Sequence, residues 1–300
     1  MSAIAKLAGF AVVLALVFGA AAVAGDAIGP ERDGEAGARD SGDSGSNASH
    51  GGESAAGNDA MPTHTDKTAA DPVRGLGISE GGVRLALEQT ELRRGRSANF
   101  RFSLVGSDGQ TVGDFEVEQE KRMHLILVRR DGQRFQHLHP ELGDDGVWHV
   151  RLTLPDAGAY RVFADFKRGG EAQTLAADLA VDGEADYRPL PAPATSADTG
   201  DGYQVRLHAE ALQAGRETEL RFSVSRDGKP VRTQQYLGAG GHLVALREGD
   251  LAYLHVHPEE HDETVSFMTE LPSEGRYRLY LQFKHGGRVH TAEFTQEVAR

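Results

Sequence analysis

The segment His124–Glu141 reads HLILVRRDGQRFQHLHPE, and it returns from His242 to Glu259, with no gap, as HLVALREGDLAYLHVHPE. Each copy opens on an apolar run and crosses a turn former, Asp131-Gly132 or Glu248-Gly249-Asp250. Each then enters a second run that ends in His-x-His-Pro. Short apolar runs divided by such turns are the signature of paired strands. The repetition extends outward on both sides. Phe100-Arg101-Phe102-Ser103-Leu104 reappears as Leu220-Arg221-Phe222-Ser223-Val224, and Leu154-Pro155 with Tyr160 and Phe166-Lys167 reappears as Leu271-Pro272 with Tyr277 and Phe283-Lys284. Self-similarity of this kind identifies a duplicated domain.

Further short runs, Val83 to Leu87, Asn99 to Val105, Val147 to Leu154 and Tyr160 to Phe166, are separated by Asp108-Gly109, Asp145-Gly146 and Ala157-Gly158. No long helical period interrupts them. The pattern predicts an all-β protein of two tandem immunoglobulin-like antiparallel β-sandwiches, one face of each sheet being buried. The expected boundaries are 76–183 and 202–300, joined by a Pro/Ala-rich linker over 184–201 that contains Pro189, Pro191 and Pro193.

Ahead of the sandwiches, Lys6 precedes an uncharged apolar stretch from Leu7 to Gly25 that ends in Ala22-Val23-Ala24. Residues 1–25 read as a hydrophobic helix serving as a signal peptide or a membrane anchor, which puts the rest of the chain outside the cytoplasm, in the cell envelope or secreted. Residues 26–75 are rich in Gly, Ala, Ser and Asp and read as a disordered acidic tether, with His50 and His64 as isolated solvated positions. The net charge of −13 argues against nucleic acid as a partner. With 0 cysteines, the chain offers no thiolate nucleophile, disulfide or Cys-type zinc site, so any metal is held by imidazole, carboxylate, thioether or backbone groups.

In each repeat one histidine opens a strand, His124 or His242, and a His-x-His pair follows, His137 and His139 or His255 and His257. Residues two apart in a strand project to the same side, and the intervening hairpin brings the first histidine beside the pair. Each repeat could therefore hold one Cu(II) or Zn(II), since neutral imidazoles without thiolate favour such ions. Met123 and Asp165 are absent from the second repeat, where Gly241 and Gln282 stand in their places, so neither belongs to a common ligand set. The same histidines read equally as core struts bonded to backbone carbonyls, in a structural or interaction module of the envelope whose partner is another protein. His149, His208, His285 and His290 read as surface positions, and His261 as part of an acidic turn. No nucleophile elbow, phosphate-binding loop or His-Glu-x-x-His motif occurs, so a catalytic role is not expected, and a metalloenzyme with an open coordination site is the third reading.

The segment from Met123 to Pro140, with Gly158 to Phe166, resembles the exported bacterial proteins described as secreted or YtkA-like. The hallmark is a leading histidine, a charged turn, an aromatic residue and His-x-His-Pro, matched at His124, Phe135, His137, His139 and Pro140, and at His242, Tyr253, His255, His257 and Pro258. The resemblance implies an immunoglobulin-like sandwich and links the chain with copper or heavy-metal handling. Leu254-His255-Val256-His257 is also similar to the His-Val-His strand of copper–zinc superoxide dismutase, whose glycine-rich loop and disulfide are missing here.

Overall fold

The computed structural model describes residues 73–254, 256–259 and 265–300, all within one compact unit. The expected hydrophobic helix, nearly all of the tether with His50 and His64, and His255 and His261 lie outside the described residues. So does the side chain of His257. Among the described residues no helix is long and apolar enough to cross a membrane.

The first domain contains β1 (Ser79–Glu80), β2 (Val83–Leu87), β3 (Glu91–Leu92), β4 (Ser97–Gly106), β5 (His124–Arg129), β6 (Gln136–Leu138), β7 (Glu141–Leu142), β8 (Trp148–Thr153), β9 (Gly158–Arg168) and β10 (Glu171–Val181). These form two sheets, β1-β2-β4-β8-β7 and β3-β10-β9-β5-β6. The second domain contains β11 (Ser196–Asp198), β12 (Tyr203–His208), β13 (Glu217–Arg226), β14 (Lys229–Pro230), β15 (His242–Arg247), β16 (Tyr253–Leu254), β17 (His257–Glu259), β18 (Val265–Glu270), β19 (Gly275–His285) and β20 (Arg288–Val298). Its sheets are β11-β12-β13-β18-β17 and β16-β15-β19-β20. Both domains are immunoglobulin-like sandwiches. In each, a short early segment adds in parallel beside the last strand, Glu91–Leu92 on β10 and Gln213 opposite Ala299. The expected linker is partly structured, because its end is β11, paired with β12.

Alternation decides the outer sheets. In β4, Phe100, Phe102 and Leu104 point inward, and in β12 Tyr203, Val205 and Leu207 do the same. The first core closes on Trp148, stacked on Phe102 at 6.3 Å between ring centroids and met edge-on by Phe115.

The sheets containing β5 and β15 depart from alternation, since every residue of β5 is buried. Leu125 and Leu127 pack in the first core, whereas Ile126 and Val128 pack outward with Phe163, Ala176, Val244, Leu246, Leu251, Tyr253 and Tyr280. The outer faces of these two sheets thus bury each other, and the two domains share a third apolar cluster. Phe135 stacks on Tyr280 at 4.2 Å, and its repeat equivalent Tyr253 packs on Phe163, the equivalent of Tyr280, at 5.5 Å. Contacts in which equivalent residues exchange partners describe an isologous interface, here internal to one chain. The Tyr280 hydroxyl completes it by donating to the Gly132 carbonyl, 2.8 Å away in the β5–β6 turn.

Candidate functional site

In β5, residue parity that sends Leu125 and Leu127 into the sandwich sends His124 to the same side as Ile126, toward the second domain. The same parity in β15 directs His242 toward the first domain. The two equivalent histidines therefore meet across the interface, their rings stacked with centroids 5.7 Å apart and an interplanar angle of 8°. His137 of β6 lies between them, 5.2 Å from His124 and 4.4 Å from His242, and His139 lies 4.6 Å from His137. One ring nitrogen from each of His124, His137 and His242 lies within 4.8 Å of the others.

The structure thus brings His124, His137, His139 and His242 into one cluster. The spacing alone suggested a separate set in each repeat, but His242 joins the histidines of the first domain. Hairpin pairing acts within a domain, whereas the outward face of β15 acts between domains. Met123 packs in the first core, on the face opposite to His124. Asp165 is buried and accepts hydrogen bonds from Thr174 Oγ1 at 2.8 Å and from the Tyr253 hydroxyl of the second domain at 3.3 Å.

The hydrogen bonds specify which nitrogens face inward. His124 Nε2 lies 3.1 Å from the Glu118 carbonyl, which can only accept, so Nε2 carries the proton and Nδ1 of the neutral ring bears the lone pair. His137 Nδ1 lies 2.6 Å from Gln282 Oε1, an acceptor as oriented, which leaves His137 Nε2 as that ring's lone pair. These two inner nitrogens are 3.0 Å apart. Two lone pairs at that separation repel unless a proton or a cation lies between them. Burial, reinforced by the neighbouring His124 and His139, holds His137 well below its ordinary pKa of 6.5, and burial lowers His139 to about 4. An additional proton, which would make the pair cationic, is therefore a poor bridge here.

A tetrahedral ion with bonds of roughly 2.0–2.1 Å separates its ligand nitrogens by about 3.3 Å, so to enclose one the 3.0 Å pair would open slightly and the widest separation, up to 4.8 Å, would close by about 1.5 Å. Ring N–H groups donating outward to a carbonyl and an amide oxygen are the outer shell that fixes metal-binding imidazoles. In the sequence Gln282 stands out only as the replacement for Asp165. Its role is to reach across the interface to His137. His139 Nε2 is buried with no hydrogen-bond partner among the described residues.

The other histidines are elsewhere. His149 lies beside Arg101, and exposed His208 bonds Ser223. His290 was expected at the surface but is buried: Nδ1 meets Asp201 at 2.6 Å and Nε2–H donates to the His285 carbonyl, with Tyr203 packed on the ring. Both nitrogens are engaged in this structural arrangement.

No curated protein matches the chain. Among solved structures it is similar to a chimeric titin Z1Z2-Z1Z2 tandem functionalized with a GRGDS peptide from fibronectin, at 14% identity over 72% of this chain and 98% of that one, TM-score 0.20. It is similar to the Escherichia coli adhesin FdeC at 11% identity over 75% and 66% of the two chains, TM-score 0.25. The likeness to Salmonella alpha-2-macroglobulin, at 16% identity and TM-score 0.25, covers 76% of this chain and 15% of that one. At these TM-scores the likenesses carry nothing about function. Residues 78–183 and 197–300 each match the family described as "Domain of unknown function (DUF8832)", and the chain belongs to that family, carrying its domain twice.

Proposed function

We propose that this chain is an extracytoplasmic binding module whose interdomain histidine cluster holds a divalent transition-metal ion, Zn(II) or Cu(II). The observation that carries this reading is the pair of inward-facing ring nitrogens, His124 Nδ1 and His137 Nε2, set 3.0 Å apart while the opposite nitrogens meet the Glu118 carbonyl and Gln282 Oε1. Neutral nitrogen ligands without thiolate suit these ions, and raw affinity places copper first. The role is binding: buffering, delivery or sensing outside the cell. The leader-like segment 1–25 supplies the expectation of export, and the resemblance to YtkA-like proteins adds an expectation of metal handling.

A second reading has its own support. If the Gln282 amide is turned so that its NH2 donates to His137 Nδ1, then His137 Nε2–H donates to His124 Nδ1 and the network closes without metal, Thr291 Oγ1 lying 3.4 Å from the Gln282 amide. The histidines are then struts in a two-domain envelope module that presents its surface to a protein partner.

Calorimetric titration of the purified chain with Zn(II) and Cu(II), repeated on His137→Ala and His124→Ala, separates the two. Binding that is lost in folded variants supports the metal site. Absence of binding above that of a generic acidic surface supports the struts.

A further inference from the structure

We infer that the cluster is a metal-operated clamp: the ion binds the docked pair of sandwiches in preference to the undocked pair, so metal loading and domain docking are one coupled equilibrium. This inference rests on the metal reading of the same site. His124 and His137 come from the first domain and His242 from the second, and only docking brings their nitrogens within 4.8 Å. The hydrogen bond that orients His137 for coordination also crosses the interface, His137 Nδ1–H donating to Gln282 Oε1 in β19. The donors and the group that aims them are thus divided between the domains, so separating the sandwiches dismantles the coordination shell and its support together.

The apolar cluster of Ile126, Val128, Val244 and Leu246 supplies docking that does not depend on an ion. An ion that binds only the docked form adds to that docking by mass action. At a free ion concentration about a hundred times the dissociation constant, the docking equilibrium rises roughly a hundredfold. Reciprocity then requires that weakening the apolar contact weaken the affinity for the ion by the factor lost from docking. The chain lacks cysteine, so two introduced thiols can be labelled without background.

The experiment places spin labels at Glu171→Cys and Arg288→Cys, exposed first residues of β10 and β20. Distance distributions and Zn(II) affinity are measured on the full chain and on the same chain carrying Ile126→Asp, with chelator and with saturating Zn(II). The expected result is a broad distribution for the chelator-treated variant that zinc narrows to the parental one, with affinity reduced at least tenfold. Adding His242→Ala should abolish the narrowing. Val244→Asp attacks the same contact from the second domain and replaces Ile126→Asp if that variant does not fold. Equal affinity in parent and variant, or a distance that does not respond to zinc in either, overturns the clamp while leaving a metal site. Absence of zinc binding to the parent chain removes the proposed function itself.

Discussion

Ile126 distinguishes two docked sandwiches from two independent ones. In an isolated first domain its side chain, on the outer face of β5, would meet water. In the chain it is 0% exposed and packs against the second domain. Replacing a buried isoleucine by alanine removes its transfer free energy and leaves a cavity, together about 3 kcal/mol, whereas a surface position changes stability by about 0.5 kcal/mol or less. For a chain of this size, 1 kcal/mol corresponds to roughly 2–4 °C in Tm, so Ile126→Ala should lower Tm by about 6–12 °C. Leu125→Ala, on the inward face of the same strand, gives the reference for an ordinary core position. The assay is thermal or denaturant unfolding followed by fluorescence of Trp148, the single tryptophan, which is buried in the first core. A loss for Ile126→Ala of the same order as for Leu125→Ala supports the shared interface. A change within about 2 °C of the parent would refute it.

Four further outcomes follow from the same contacts. Tyr280→Phe removes the donor to the Gly132 carbonyl and leaves that buried acceptor unmet, at a cost of about 1–3 kcal/mol measurable by urea unfolding. Gly75→Ala should cost about 2 kcal/mol or more in the same assay, because φ is +68° and a Cβ would lie 2.7 Å from the Phe163 ring and 2.9 Å from Tyr253. Gln282→Leu should keep the metal stoichiometry but weaken affinity about 10–100-fold by calorimetry, since it removes the acceptor that aims His137. In the metal-free chain the folded-state pKa values of His137 and His139 are depressed, so the unfolded chain binds more protons below pH 6.5. Stability present above that value should fall with pH through the window down to about 4, with His139 contributing about 1–2 kcal/mol after discounting for its partial exposure. A flat Tm across that window would contradict the neutral, buried assignment.

Much of this architecture is written in local pattern. Phe100, Phe102 and Leu104 alternate with polar neighbours and resolve as a half-buried strand, and the His124–Glu141 repeat announces the duplication. The interface was not expected, since one buried face per sheet was the reading; yet Leu125-Ile126-Leu127-Val128 does not alternate, and an unbroken apolar strand signals burial on both faces. Pattern does not say what covers the second face, because that depends on how two distant segments meet. The histidines divide along the same line. His124 and His137 were within reach of one another by hairpin geometry, but His242 joins them only because His124 shares its strand face with Ile126. Gln282 was hidden for the same reason. Its value lies in a contact made 145 residues away in sequence, on His137. His290 looked like an exposed residue of a single repeat, and its burial follows from the close approach of Tyr203 and Phe283.

An anomalous difference map from crystals of the chain grown with Zn(II) would locate the ion itself. One peak per chain is expected, between the two domains, within bonding distance of His124 Nδ1, His137 Nε2 and a nitrogen of His242. Two peaks, each confined to the histidines of one domain, or an interdomain cluster without any peak at saturating zinc, would contradict it.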